Sequence, residues 1–413
     1  MHGHGVNHKA HGVAAVGGGG AGIDVPVGAF NGVDHPVARL VLAAGGTGGP
    51  IYPGLTIANE IKARYPSCEI TFVGTQYGLE KDIISRAGYS LEIISVQYFR
   101  RALSLDLLKT GIIAVKGLRQ SFRLLSDLRP DVVVGTGGYV AGPVLLAAAL
   151  LRVPTLIQEQ NALPGITNRI LGRFMRAIAL GYAEAARYFP KDGRVAVTGN
   201  PIRSEITAMT KAESIRRLHL QPDCRTIVVF GGSQGGRSIN KAMRELAPRL
   251  NREARLQVIH QTGKKSYQDI AEEVLGKDSD ENLPPMVQDG CIKIVPYIYD
   301  MPAALAAADL VVGRAGALSI AEITARGVPA ILIPFPYAAE NHQEKNARVL
   351  EKAGAARVLL DESVNGESLG DLVFQLLGDA HLLSEMAGAS RSLGKVDATR
   401  VIVDRIVELA NWS

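Results

Sequence analysis

Short apolar runs ending in glycine or a polar residue recur along the chain, and longer stretches with apolar residues at helical spacing lie between them. Ala38-Arg-Leu-Val-Leu-Ala-Ala44, Glu69-Ile-Thr-Phe-Val-Gly74, Asp131-Val-Val-Val-Gly135 and Pro154-Thr-Leu-Ile157 read as strands in the first part of the chain. Arg225-Thr-Ile-Val-Val-Phe230, Gln257-Val-Ile-His260, Ile292-Lys-Ile-Val295 and Asp309-Leu-Val-Val-Gly313 read the same way in the second. Several are apolar without alternation, the pattern of strands covered on both faces, as in parallel sheets. Ile51 to Ala63 reads as a helix, and so does the stretch from Ala317 to Arg326, stopped by Gly327 and Pro329. Strands alternating with helices predict a doubly wound parallel α/β sheet. The glycine loop after Phe230 repeats the one after Ala44, so the expectation is two similar Rossmann-like domains facing each other.

Composition narrows this. The 413 residues are 47% hydrophobic and 21% charged, enough for two ordinary domains with a core each. The longest apolar segment, Val144-Leu-Leu-Ala-Ala-Ala-Leu-Leu151, falls well short of the roughly 20 residues that span a bilayer, so no transmembrane helix is expected. Cys68, Cys224 and Cys291 form no C-x-x-C pair, which argues against a disulfide framework or a structural zinc site and fits a reducing cytosol. A net charge of +5 is mild for a nucleic-acid binder, and no nucleic-acid partner is expected; it suits anionic substrates or an anionic membrane face. Residues 1–36, rich in glycine and carrying His2, His4, His8 and His11, read as a disordered tail with no cysteine to support a metal site. Asp278-Ser-Asp280 has the form of a metal-holding D-x-D but lies in a hydrophilic stretch before Pro284-Pro285, so it reads as a solvated loop, and no metal or cofactor is expected.

The glycine loops carry the candidate chemistry. Gly45-Gly-Thr-Gly-Gly49, Gly137-Gly-Tyr139, Gly231-Gly-Ser-Gln-Gly-Gly236 and Arg314-Ala-Gly316 each follow a strand. A helix N-terminus after such a loop binds anions through free N–H groups and the helix dipole. The first loop is not a dinucleotide fingerprint: counting from Gly46 puts Ile51 where the third glycine belongs, and no acidic residue ends the next strand. The third loop nearly matches a P-loop, with Arg237 in the lysine's place, which leaves an NTPase as the minority reading. Glu322, one turn into its helix, is unsuited to phosphate but could accept hydrogen bonds from a ribose diol. Between the first strands, Tyr98 to Arg123 is basic, with Lys109, Lys116 and Arg123 recurring every seven residues and Leu105, Leu108, Ile112 and Phe122 able to line another face. This pattern suits docking on anionic lipid, or equally an amphipathic crossover helix with a solvated basic face.

Taken in order, Gly45-Gly-Thr-Gly-Gly49, Gly137-Gly-Tyr-Val-Ala-Gly-Pro143, Glu159-Gln-Asn161, Gly199-Asn-Pro-Ile-Arg203, Gly231-Gly-Ser-Gln-Gly235, Arg314 to Glu322 and Asn341-His-Gln343 resemble the MurG-type N-acetylglucosaminyltransferases of peptidoglycan synthesis. The resemblance runs from about Arg39 to the C-terminus. It implies a GT-B fold with domains over 37–198 and 199–413, the last helix packing back on the first domain. It implies inverting transfer of N-acetylglucosamine from UDP-N-acetylglucosamine to undecaprenyl-linked lipid I at the cytoplasmic face of the inner membrane, without a metal. By resemblance, Ile298, Ala317, Leu318 and Glu322 would hold uracil and ribose, with Ser319, Ile320 and Ala321 in the same motif. Ser233, Gln343 and His342 would meet phosphate and sugar, and Thr47, Gly48, Gly49, Tyr139, Asn161 and Arg203 would complete the site across the cleft.

Two residues depart from the family pattern. Pro50 stands where the family's first loop continues with histidine, and Gln158 where its third strand has histidine before Glu159. Proline has no donor and no titratable group, so a catalytic histidine does not carry over, and Glu159 remains as a carboxylate base. A weakened transferase is therefore expected. The alternatives are a GT-B relative with another acceptor, a UDP-N-acetylglucosamine epimerase, or a catalytically silent sugar-nucleotide binder.

Overall fold

The computed structural model describes residues 37–46, 48–76, 80–96, 106–232, 235–276 and 284–412. The glycine- and histidine-rich segment 1–36, Thr47, residues 97–105 of the basic stretch, Ser233 and Asp278-Ser-Asp280 lie outside them. Residues 37–413 form one compact unit.

Two sheets dominate it. In the first, β1 (Arg39–Ala44), β2 (Glu69–Gly74), β3 (Ser90–Ile93), β4 (Val132–Gly137), β5 (Thr155–Glu159), β6 (Ala177–Leu180) and β7 (Val195–Val197) stand in the order β3-β2-β1-β4-β5-β6-β7. Every pairing in it is parallel. The second contains β8 (Arg225–Phe230), β9 (Leu256–Gln261), β10 (Val287–Asp289), β11 (Ile292–Val295), β12 (Leu310–Gly313), β13 (Ala330–Leu332) and β14 (Ala356–Val358), ordered β10-β11-β9-β8-β12-β13-β14. Only its β10 edge runs antiparallel.

Strand order reverses between β1 and β4 in the first sheet and between β8 and β12 in the second. At such a switch point the loops leaving the two central strands part in opposite directions, and a crevice opens beyond their carboxyl ends. All four glycine loops of the sequence follow these four strands.

Each sheet is covered on both faces. Leu40, Leu42, Ile57, Ile61 and Phe72 pack on one side of the first sheet, and Val41, Val133, Leu145 and Ile178 on the other. Ile402, Val403 and Ile406 of the last helix, Ala398–Ala410, join the first of these clusters. Burying side chains of this size is worth about 1.5–3 kcal/mol each. The same helix is tied down by Arg64 to Asp404 and by the Trp412 indole N–H donating to Asp131 at 3.0 Å. Among the described residues no helix is long and apolar enough to cross a membrane.

The helix of the basic segment packs on the first sheet as an amphipathic crossover helix does. Phe122, on the helix Asp106–Leu128, turns inward with Leu118 and Leu125 against the first sheet's core, and Val115 is exposed. Phe122 lies one turn from both Leu118 and Leu125, so it shares their buried stripe.

Candidate active site

At the first switch point the loops after β1 and β4 stack backbone on backbone. Gly138 has φ +81°, and a Cβ there would lie 2.0 Å from the Gly45 carbonyl oxygen, so only glycine fits. Tyr139 covers Gly46 from outside: a Cβ on Gly46 would sit 3.5 Å from its ring. Underneath, Glu80 is fully buried and accepts from the Gly46 N–H at 3.2 Å, the Thr75 N–H at 2.8 Å and the Thr75 hydroxyl at 2.7 Å. This buried carboxylate thus fixes the loop that leads to Gly48 and Gly49, the first residues of the Gly48–Arg64 helix. Pro50 follows them, its carbonyl accepting from the Thr136 hydroxyl at 2.7 Å.

Glu159, the last residue of β5, is only 2% exposed. It accepts from the Asn161 N–H at 3.0 Å, the Asn161 amide at 3.4 Å, the Gly165 N–H at 3.2 Å and the Asn168 amide at 2.7 Å. Burial pushes its pKa up, and these donors oppose the rise. A carboxylate has about four lone-pair directions, and all are engaged in folding the loop that carries Asn161. Gln158, buried beside it, donates to Asn200 at 3.0 Å, and Asn200 donates to the Gln160 carbonyl at 2.9 Å. Gln158 therefore belongs to a buried amide relay.

The second switch point is built alike. Gly235 has φ +79°, and a Cβ on it would lie 2.0 Å from the Thr262 carbonyl oxygen. Gln261 bridges this loop to the next, donating to the Gly232 carbonyl at 2.8 Å and accepting from the Ile298 N–H at 2.9 Å. The helices Arg237–Leu250 and Ala317–Arg326 both start on a glycine with no side-chain cap, leaving first-turn N–H groups available to a ligand. Ala317 and Ile320 are buried; Leu318, Ser319 and Ala321 are half-buried. Arg314, itself buried, donates to the Ile333 and Pro334 carbonyls at 3.2 Å and to Ser238 at 3.1 Å, and pairs with Asp361. One guanidinium thus holds together the loops after β12 and β13 and the start of the Arg237–Leu250 helix.

The loops of the two sheets meet. Arg203 pairs with Glu322 at 2.9 Å; burial raises the Glu322 pKa and Arg203 opposes it. The Tyr297 hydroxyl, next to Ile298, is hydrogen-bonded to Tyr52 of the Gly48–Arg64 helix, and burial raises its pKa. Arg169 pairs with Glu340 at 2.8 Å. Asn346 accepts from the Ala162 N–H at 2.9 Å and donates to Asn161 at 3.1 Å. Asn346 sits on the His342–Lys352 helix, whose first residues are His342 and Gln343. Gln343 accepts from the Phe335 N–H at 3.0 Å. His342 donates from Nδ1 to the Ala339 carbonyl at 2.7 Å, and burial pushes its pKa down.

Arg203 is thus brought onto Glu322, and Asn161 onto the helix that begins with His342. Sequence reading gave no role to Glu80, Arg314, Asn346 or Tyr52. Only Asn346 carried a local signal, four residues beyond His342 and so on the same helix face. Among the described residues no group of three or more His, Cys, Asp and Glu side chains is placed to hold a metal ion.

Two doubly wound sheets whose carboxyl-edge loops meet across a gap, each with an uncapped helix N-terminus behind a glycine loop, have the architecture of a GT-B glycosyltransferase. The glycosyltransferase family 28 N-terminal domain matches residues 40–180 and the corresponding C-terminal domain residues 226–402. The chain belongs to glycosyltransferase family 28, among the MurG-type N-acetylglucosaminyltransferases. It is 45% identical over 364 residues to a Thermoanaerobacter sp. (strain X514) UDP-N-acetylglucosamine–N-acetylmuramyl-(pentapeptide) pyrophosphoryl-undecaprenol N-acetylglucosamine transferase, covering 88% of this chain and 98% of that protein. The enzyme of the same name from Desulfitobacterium hafniense (strain Y51) is 46% identical over 375 residues, 90% of this chain and 99% of the relative. The crystal structure of Acinetobacter baumannii MurG superposes with a TM-score of 0.70 at 29% identity, covering 90% of this chain and all of that one.

Proposed function

We propose that this chain transfers N-acetylglucosamine from UDP-N-acetylglucosamine to undecaprenyl-pyrophosphoryl-N-acetylmuramoyl-pentapeptide, lipid I, forming lipid II with inversion at the anomeric carbon. The observation that carries it is the pairing of glycine loops at two facing switch points, one for each diphosphate of a reaction whose donor and acceptor both contain one.

In this reading the second sheet holds the donor. Uracil lies against Ile298, Ala317 and Leu318, with Ser319, Ile320 and Ala321 shaping the same helix start. The ribose diol donates to Glu322, and Arg203, released from that carboxylate, turns to the diphosphate. The loop with Ser233 and the Arg237–Leu250 helix N-terminus take the phosphates, while Gln343 and His342 border the sugar. The first sheet takes the acceptor through Thr47, Gly48, Gly49, Tyr139 and Asn161. Glu159 keeps Asn161 in place and is not assigned to proton transfer, because its oxygens already serve four donors.

Helix N-termini and Arg203 supply the positive potential that the diphosphates need, and the cleft carboxylates Glu80, Glu159, Glu322 and Glu340 are each committed to protein donors. The donor site is therefore metal-independent. Turnover of UDP-N-acetylglucosamine with a lipid I analogue, measured with and without EDTA alongside UDP affinity, is the test. Lipid II formation indifferent to the chelator is expected; absence of product with UDP still bound overturns the transferase reading, and loss of UDP binding in EDTA overturns the metal-free site.

The acceptor is membrane-borne, and the chain works as a peripheral protein at the cytoplasmic face of the inner membrane. Support comes from the exposed Val115, Lys116, Arg119 and Arg123 on the Asp106–Leu128 helix and from exposed Leu150 on the helix packed beside it. Exposed apolar side chains on the same helices as exposed arginine and lysine match an anionic lipid surface.

A further inference from the structure

With proline at position 50 and Glu159 saturated, the proposed transfer needs a group to receive the acceptor's proton. The described carboxylates at the cleft are occupied: Glu80 by Thr75 and Gly46, Glu322 by Arg203, Glu340 by Arg169. Of the described histidines, His260 is buried in β9 against Asn240, His219 follows the Lys211–Arg217 helix, and His381 is exposed on the Ala380–Leu393 helix beside Glu385. His342 is the one that stands where the two halves meet.

Its placement is constrained on three sides. Nδ1 donates to the Ala339 carbonyl at 2.7 Å, which fixes the proton on Nδ1 and leaves Nε2 with its lone pair. Asn346, one turn on and on the same helix face, is bonded to Asn161 and Ala162 of the first sheet's loop. Glu340, two residues before, is held by Arg169 from that same half. Glu340 and Asn341 have φ of 51° and 56°, left-handed values that non-glycine residues adopt at a cost and that here set the start of the helix.

We propose that His342 is the general base of this chain, taking the proton of the acceptor's sugar hydroxyl on Nε2. This rests on the transferase reading above. The hydroxyl oxygen forms a new bond to the anomeric carbon, the bond from that carbon to the UDP oxygen breaks with its electron pair leaving on UDP, and the hydroxyl proton passes to the imidazole and then to solvent. The charged groups around it are Glu340, itself bonded to Arg169; Lys345, which donates to the Glu340 carbonyl; and Glu344, shared between Asn341 and Arg348. Burial lowers the imidazole's pKa from histidine's ordinary 6.5, against the Ala339 hydrogen bond and Glu340, which raise it.

The test is His342→Gln, with kcat, KM for each substrate, UDP affinity and melting temperature measured beside the unaltered chain. The expected result is a fall in kcat of about 10²–10⁴-fold, with KM and UDP affinity within about threefold and the acid limb of the kcat–pH profile abolished. A fall below tenfold, an acid limb that persists, or a loss confined to KM for UDP-N-acetylglucosamine overturns the base and leaves His342 a donor contact. If the unaltered chain binds UDP but makes no product, the transferase reading itself fails, and this proposal with it.

Discussion

Pro50 is the third residue of the Gly48–Arg64 helix, where the N–H of any residue is orphaned, so proline leaves no donor unsatisfied and its fixed φ suits the first turn. The position is thus compatible with an intact loop without a histidine. If His342 receives the proton, Pro50→His changes kcat by less than tenfold at unchanged UDP affinity. A gain of tenfold or more, about 1.4 kcal/mol of barrier, would return the base to position 50. The residues around the gap were legible in type but not in partnership. Glu322 could be read as an acceptor from its helix position, whereas its pairing with Arg203 spans a sequence separation of 119. Glu159 reads in the sequence as a carboxylate base, whereas its hydrogen bonds to Asn161, Gly165 and Asn168 exist only in three dimensions.

Among elements, the interior parallel strands other than the four-residue β6 were readable because both their faces are buried and their sequences are correspondingly apolar. β3, β7, β10 and β14 were not: they are three- or four-residue edge strands whose pairing, rather than their composition, makes them strands. The glycine loops were legible through local backbone demands, and they fell at the switch points because each follows a central strand. In the helix Asp106–Leu128 period alone separated Phe122 from the basic positions, and Phe122 packs on the core. The segment carries a prediction: reversing Lys109, Lys116 and Arg123 to glutamate weakens sedimentation with phosphatidylglycerol vesicles, by about 1 kcal/mol per residue, and added salt weakens binding of the unaltered chain. Equal binding by the reversed variant would make this helix purely structural.

For the whole molecule, stability is coupled to pH through a group remote from proton transfer. His260 is buried in β9, and burial lowers its pKa from 6.5 to about 4. The unfolded chain therefore takes up a proton below pH 6.5 that the folded chain refuses until about pH 4, so stability falls as pH drops through that window and is unaffected by this group above it. At about 1.36 kcal/mol per pH unit the total is on the order of 3 kcal/mol. Denaturant unfolding from pH 7.5 to 4.5 should show this loss, and His260→Gln should flatten it; identical pH profiles would dissociate His260 from acid sensitivity. The return of the last helix onto the first sheet has a consequence for how the protein is made. Ile402, Val403 and Ile406 complete the core that the Gly48–Arg64 helix begins, so the ribosome releases the first half with an apolar face uncovered. At roughly 5–20 residues per second that face waits for tens of seconds of synthesis, an interval in which a chaperone has the same surface to grip that the finished chain covers with its own end.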